Sequence, residues 1–192
     1  MCRALEAFVG DLHGAEVWSG SLLSAGLDRT GTDAAWAIPD ADCPRLCRAV
    51  AARTGQAPEE LAADLGCWLV SHPTTAPIRR LLRFGGHDFA GFLMSLEDLP
   101  GRVALAVPRL RLPAMDVRFG EDDGILIDVE GGLAFFAALV EGLVRAMADD
   151  YGALVSVERD QADPEGPARL AVRLHDAGFA EARRFELVGA RR

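Results

Sequence analysis

Met115-Asp116-Val117-Arg118-Phe119-Gly120-Glu121-Asp122-Asp123-Gly124-Ile125-Leu126-Ile127-Asp128-Val129-Glu130 is the stretch on which the fold turns. Met115, Val117 and Phe119 alternate with Asp116 and Arg118, the period of a strand that is buried on one side. The acidic, glycine-flanked segment 120–124 reads as a solvated turn, without the spaced oxygen ligands of a calcium loop. The return run sets Ile125, Ile127 and Val129 on one face and Leu126, Asp128 and Glu130 on the other, so an antiparallel hairpin is predicted. Directly behind it, from about Leu133 to Asp149, the period changes to that of a helix, with Phe136, Val140, Leu143, Val144 and Met147 inward.

Working outward, two more strands are expected at Leu154–Glu158 and Ala168–Leu174 and a short one near Phe185–Val188, with 160–167 as a loop. Upstream the punctuation is helical. Leu5, Phe8, Val9 and Leu12 share a face, and a second helix over Ala15–Ala25 closes at Gly26. A polar loop around Gly31 follows. Pro44 and Pro58 suit first turns, and Glu59 and Glu60 open the helix carrying Leu61, Leu65, Trp68 and Leu69. Residues 72–77 read as a loop, after which Phe89, Phe92, Leu93, Leu96 and Leu99 predict one helix that ends at Pro100. The expected class is α+β: one domain over 1–192, with a helical part over about 1–70 and an α+β part over about 78–192 built on an antiparallel four-stranded sheet.

The 192 residues carry 20 basic and 29 acidic side chains, a net charge of −9. All the basic ones are arginine. An acidic chain whose densest basic run is Arg79-Arg80-Leu81-Leu82-Arg83 argues against nucleic acid as a partner. No apolar run approaches the roughly 20 residues of a membrane span, and the start lacks a secretory pattern, so a cytoplasmic protein with reduced Cys2, Cys43, Cys47 and Cys67 is expected. Phosphate-loop, dinucleotide-binding and serine-elbow motifs are absent, which leaves an enzyme reading without residues.

Several segments, in order along the chain, carry a family resemblance. They are Gly14-Ala15-Glu16-Val17-Trp18, Leu23-Ser24-Ala25-Gly26-Leu27, Arg53-Thr54-Gly55-Gln56 ahead of Leu65-Gly66, Phe92-Leu93 through Leu99, Pro113, and Glu141-Gly142. Together they resemble the H-NOX (haem-nitric oxide/oxygen binding) domain over nearly the whole chain. The resemblance implies a gas-sensing module with a buried haem, a proximal histidine at position 100 and a Tyr-x-Ser-x-Arg motif that grips the haem carboxylates. Here position 100 is Pro100, which has no ring nitrogen, and the motif positions are Leu126, Asp128 and Glu130. Two carboxylates in place of donors would repel propionates by about 4 kcal/mol per pair at 4 Å and an effective dielectric near 20.

The expectation is therefore a sensory module that keeps an apolar pocket, lined by Leu93, Leu96, Pro113, Met115 and Phe135, but has lost the haem-anchoring groups. Such a pocket would hold another apolar ligand or none. The alternative is a genuine haem-binding NO sensor with a non-standard or weak ligand, in which Phe135, at the place of an oxygen-stabilising tyrosine, would favour NO. By family analogy the partner is a signalling protein such as a histidine kinase, cyclic-nucleotide enzyme or chemotaxis component. Other candidates read plainly: His87 as a helix-entry residue roughly 20 Å from position 100 along a straight helix, and Asp128 and Glu130 as solvated strand carboxylates. Cys43 and Cys47 read as packed or surface thiols or a redox pair, short of the four ligands of a zinc site. His13 and His175 are isolated. No catalytic and no metal-ligating residue is assigned.

Overall fold

The computed structural model describes residues 1–27, 40–107, 110–120, 124–130, 134–160 and 168–182. Four helices come first: α1 (Cys2–Leu12), α2 (Ala15–Ser24), α3 (Cys43–Thr54) and α4 (Pro58–Ser71). Pro44 and Pro58 sit in first turns, where a missing N–H is no loss, and Gly55 closes α3 at φ +74°, a left-handed value that suits glycine. The expected loop over 72–77 is instead a 3-10 turn, Pro73–Thr75, running into a helix, α5 (Ala76–Arg83), with Pro77 in its first turn. Composition pointed to a loop there because two prolines and two threonines flank the turn; those prolines start helical turns rather than ending them.

The predicted single helix over 89–100 is two helices, α6 (Phe89–Met94) and α7 (Leu99–Ala106), separated by turns. Proline is the cause. In a continuous helix Pro100 could not donate to the Leu96 carbonyl and its ring would collide with it. At the start of a new helix the same ring is favourable, so Pro100 begins α7 rather than ending α6. Arg102 bridges the break, donating to the Ser95 carbonyl at 2.8 Å and to Ser95 Oγ at 3.2 Å.

The hairpin forms as β1 (Met115–Phe119) and β2 (Ile125–Val129), followed by α8 (Ala134–Tyr151), β3 (Leu154–Asp160) and β4 (Ala168–Asp176). All pairs are antiparallel in the order β1-β2-β4-β3, with Met115 opposite Val129 and Asp128 opposite Arg169. The expected turn at 121–123, the loops at Gly31 and 161–167 and the strand near 185–188 lie outside the described residues.

The core lies where α8 crosses α4 and covers the sheet, around Leu61, Leu65, Ile127, Met147 and Leu170, all fully buried. The crossing is close because both contact points are glycine. A Cβ on Gly66 would overlap the Leu139 carbonyl, and one on Gly142 the Ala63 carbonyl. Beside them the Cys67 thiol donates to the Gly142 carbonyl at 3.3 Å. The far end of α8 is anchored by charge: Asp150, 1% exposed, accepts from Arg79 Nε of α5 at 2.6 Å and lies 3.7 Å from the Arg83 guanidinium. Arg83 covers the Tyr151 ring at 3.9 Å, and the Tyr151 hydroxyl donates to the Gly86 carbonyl at 2.7 Å.

Candidate functional site

An apolar cavity of about 180 Å³ opens between the helical part and the sheet. Its walls follow from helix periodicity. On α8, Phe136, Leu139, Val140 and Leu143 fall at spacings of three and four and form one stripe, while Gly142 points to α4. On α7 the same spacing presents Leu99, Val103 and Ala106, with Val107 just past its end. Ile78, Leu81 and Leu82 of α5, Leu69 of α4, Met1 and Ala4 at the start of the chain, and Leu110, Leu112, Pro113 and Met115 leading into β1 complete it. Ala106 and Val107 are also solvent-exposed, so the cavity reaches the surface at the end of α7.

Of the five residues expected to line the pocket, Pro113 and Met115 do so. Leu93 and Leu96 are fully buried in the core and are not among the side chains that line it. Phe135 is buried against a different, surface groove with Pro44, Arg48, Pro58 and Glu59, and it is Phe136, one residue and about 100° round the helix, that faces the cavity. The α5 residues give little signal of their own, since Pro77 and the arginines of Arg79-Arg80-Leu81-Leu82-Arg83 read as loop and basic run. Phe136, Val140 and Leu143 are among the residues whose period predicts an inward face. Pro100 is half-buried and does not line the cavity; its neighbour Leu99 does.

Leu126 and Asp128 lie on the sheet face opposite Met115, away from the cavity, and Glu130 is exposed just past β2, its N–H donating to the Ala114 carbonyl at 2.9 Å. Asp128 is not a solvated carboxylate. It is 7% exposed, its Oδ1 accepting from Arg169 Nε at 2.6 Å and its Oδ2 from Arg169 Nη2 at 3.2 Å and from Arg118. The Arg169 hydrogen bond, reinforced by Arg118 and opposed by burial, holds its carboxyl below the usual range. For Asp128 the predicted repulsion of propionates has no basis in this arrangement, since its charge is matched by two guanidiniums on the sheet face away from the cavity; Glu130 stands exposed at the end of β2. Arg118 and Arg169 carried a signal in period-two alternation, but pairing either with Asp128 requires the strand order.

The remaining titratable groups sit apart. His87 is exposed just before Asp88, whose Oδ1 caps α6 by accepting from Gly91 N at 2.7 Å. His72 stacks on Trp68 at 4.6 Å and approaches Asp11 at 3.4 Å, and His175 meets Ser156 Oγ at 3.0 Å. Cys43 and Cys47 are buried free thiols. Contact with the Cys2 thiol and burial push Cys43 well above the ordinary range, and burial, helped by the Glu59 charge, pushes Cys47 up to about 12. Among the described residues no group of three or more His, Cys, Asp or Glu could hold a metal ion, and no helix is long and apolar enough to cross a membrane.

The fold is that of H-NOX domains. Solved structures matching it include an H-NOX protein from S. oneidensis in the Fe(II)NO state, at 18% identity and TM-score 0.68 over 91% of this chain and 97% of that one. Another is the Fe(II) state of an S. oneidensis H-NOX triple mutant, at 18% identity and TM-score 0.73 over 92% and 95%. A third is an oxygen-binding H-NOX domain related to soluble guanylate cyclases, at 19% identity and TM-score 0.64 over 95% and 97%. No curated protein matches the chain. The family model described as Haem-NO-binding matches residues 1–159, and the chain belongs to that family.

Family membership implies a haem, and the cavity walls can be tested for it. Among the described residues their side chains present no imidazole, thiol, phenol or cation; the sulfur atoms are the thioethers of Met1 and Met115, a donor that in cytochromes c accompanies a histidine. At about 180 Å³ the space is also below the roughly 300–1,000 Å³ of ordinary cofactor clefts. These residues do not fit a haem.

Proposed function

We propose that the protein is a sensory, ligand-binding module of the H-NOX type that works without haem and without catalysis, through its apolar cavity and a protein partner. The observation that carries this reading is the chemistry of the cavity wall, hydrocarbon and thioether throughout, with Leu99 rather than position 100 facing in. On the resemblance, the family's ligand position corresponds to Pro100 and its carboxylate-gripping motif to Leu126, Asp128 and Glu130, and none of these four residues lines the cavity. A cytoplasmic setting and a signalling partner such as a histidine kinase or cyclic-nucleotide enzyme follow by family analogy. The net charge of −9 supports a protein partner over nucleic acid.

The test is a visible spectrum of the protein purified with haem supplied. The expected result is no Soret band at stoichiometric loading. A stoichiometric band would overturn the proposal in favour of a haem-binding NO sensor with a non-standard ligand.

A further inference from the structure

We propose that the cavity takes a small, uncharged, monocyclic aromatic molecule; this deepens the haem-free reading above and rests on it. Size sets the first limit. An apolar cavity near 150 Å³ stays dry and accepts benzene, so about 180 Å³ suits one six-membered ring with little substitution. A polycyclic molecule or a long acyl chain exceeds it.

Chemistry sets the second limit. With no cation or hydrogen-bond donor among the side chains that face it, the cavity has nothing to hold a carboxylate or phosphate, and a buried unpaired charge is strongly unfavourable. A charged group is thereby kept out of the cavity itself. Within the uncharged class the wall favours a ring over an alkane. The Met115 thioether, with that of Met1 nearby, offers sulfur–aromatic contact, and Phe136 offers edge-to-face contact, while Leu99, Val103 and Leu139 supply the aliphatic remainder. The exposed Ala106 and Val107 at the rim give an entry path.

Benzene and benzoate are the probes, used on the full chain. At about ten times its dissociation constant benzene should raise Tm by about 3–6 °C, while benzoate leaves it unchanged. With ¹³C-methyl methionine, the Met115 signal should move on adding benzene and that of Met147, fully buried in the core, should stay. Val103→Phe, which fills the cavity, should abolish the benzene response. The methionine readout decides the matter even where that variant does not fold. No response to benzene, an equal response to benzoate, a Met147 shift without a Met115 shift, or an undiminished response in folded Val103→Phe would each overturn the proposal. A haem titration on the same preparation separates the two levels. A stoichiometric Soret band removes the haem-free reading and this inference together. Absence of both haem and benzene binding removes this inference alone.

Discussion

Replacing Asp150 by asparagine keeps the shape of the side chain and removes its charge, leaving Arg79 facing a neutral amide in a site 1% exposed at the aspartate. Breaking a buried ion pair from one side costs about 3–5 kcal/mol. Arg79 retains some exposure and can turn to water, which places the expected cost toward the lower end. For a chain of this size each kcal/mol moves Tm by about 2–4 °C, so a fall of roughly 6–12 °C is expected, with a matching drop in the urea midpoint at pH 7. Because α5 also supplies Ile78, Leu81 and Leu82 to the cavity, loosening this tie should make the benzene response weaker as well. A cycle with Arg79→Ala isolates the pair: Asp150→Ala and Arg79→Ala together should cost less than the sum of the singles by at least about 1 kcal/mol. Additive losses, or an Asp150→Asn variant within about 1 kcal/mol of the parent, would refute the claim that this pair fixes α5 to α8.

Gly142→Ala should lower stability by about 1–3 kcal/mol, since its new Cβ meets the Ala63 carbonyl, whereas Gly10→Ala, with open space around it on α1, should be neutral or gain up to about 1 kcal/mol; thermal melts of the two compare them directly. Asp128 has its carboxyl lowered in the folded state, so its contribution is fully present above about pH 4, the unfolded value, and is lost as pH falls through the lower folded value. The stability gap between the parent and Asp128→Asn should therefore be wide at pH 7 and shrink below pH 4 in urea titrations. Thiol labelling of the native protein at pH 8 should reach the half-buried Cys67 first, with Cys43 and Cys47 reacting only on unfolding; early labelling of Cys47 would contradict its burial.

The strands and α8 are legible in residues 115–151 because large apolar residues recur at every second position of β1 and β2 and then at spacings of three and four in α8, although β2 and α8 are in fact buried on most of their surface. The helices over 72–106 were harder for one reason. Proline serves both to stop a helix and to begin one, and which role applies to Pro77 and Pro100 depends on what packs against the chain on either side. That single ambiguity hides α5 and merges α6 with α7. Asp128 shows a different limit. Its own strand places it on the outer face, but its burial comes from Arg118 and Arg169 on two other strands, and the order β1-β2-β4-β3 is not written in local periodicity.

Where α4 and α8 meet at Gly66 and Gly142, main chain rests on main chain with no side-chain cushion between. Such a joint cannot slide or swell, since either movement drives carbonyls into one another or opens an empty gap. The chamber beside it thus has one rigid wall and, in α1, α5 and α7, a ring of shorter pieces. Whatever occupies it must be accommodated by those pieces, and so they are the surfaces from which a listening protein could learn that the chamber is filled.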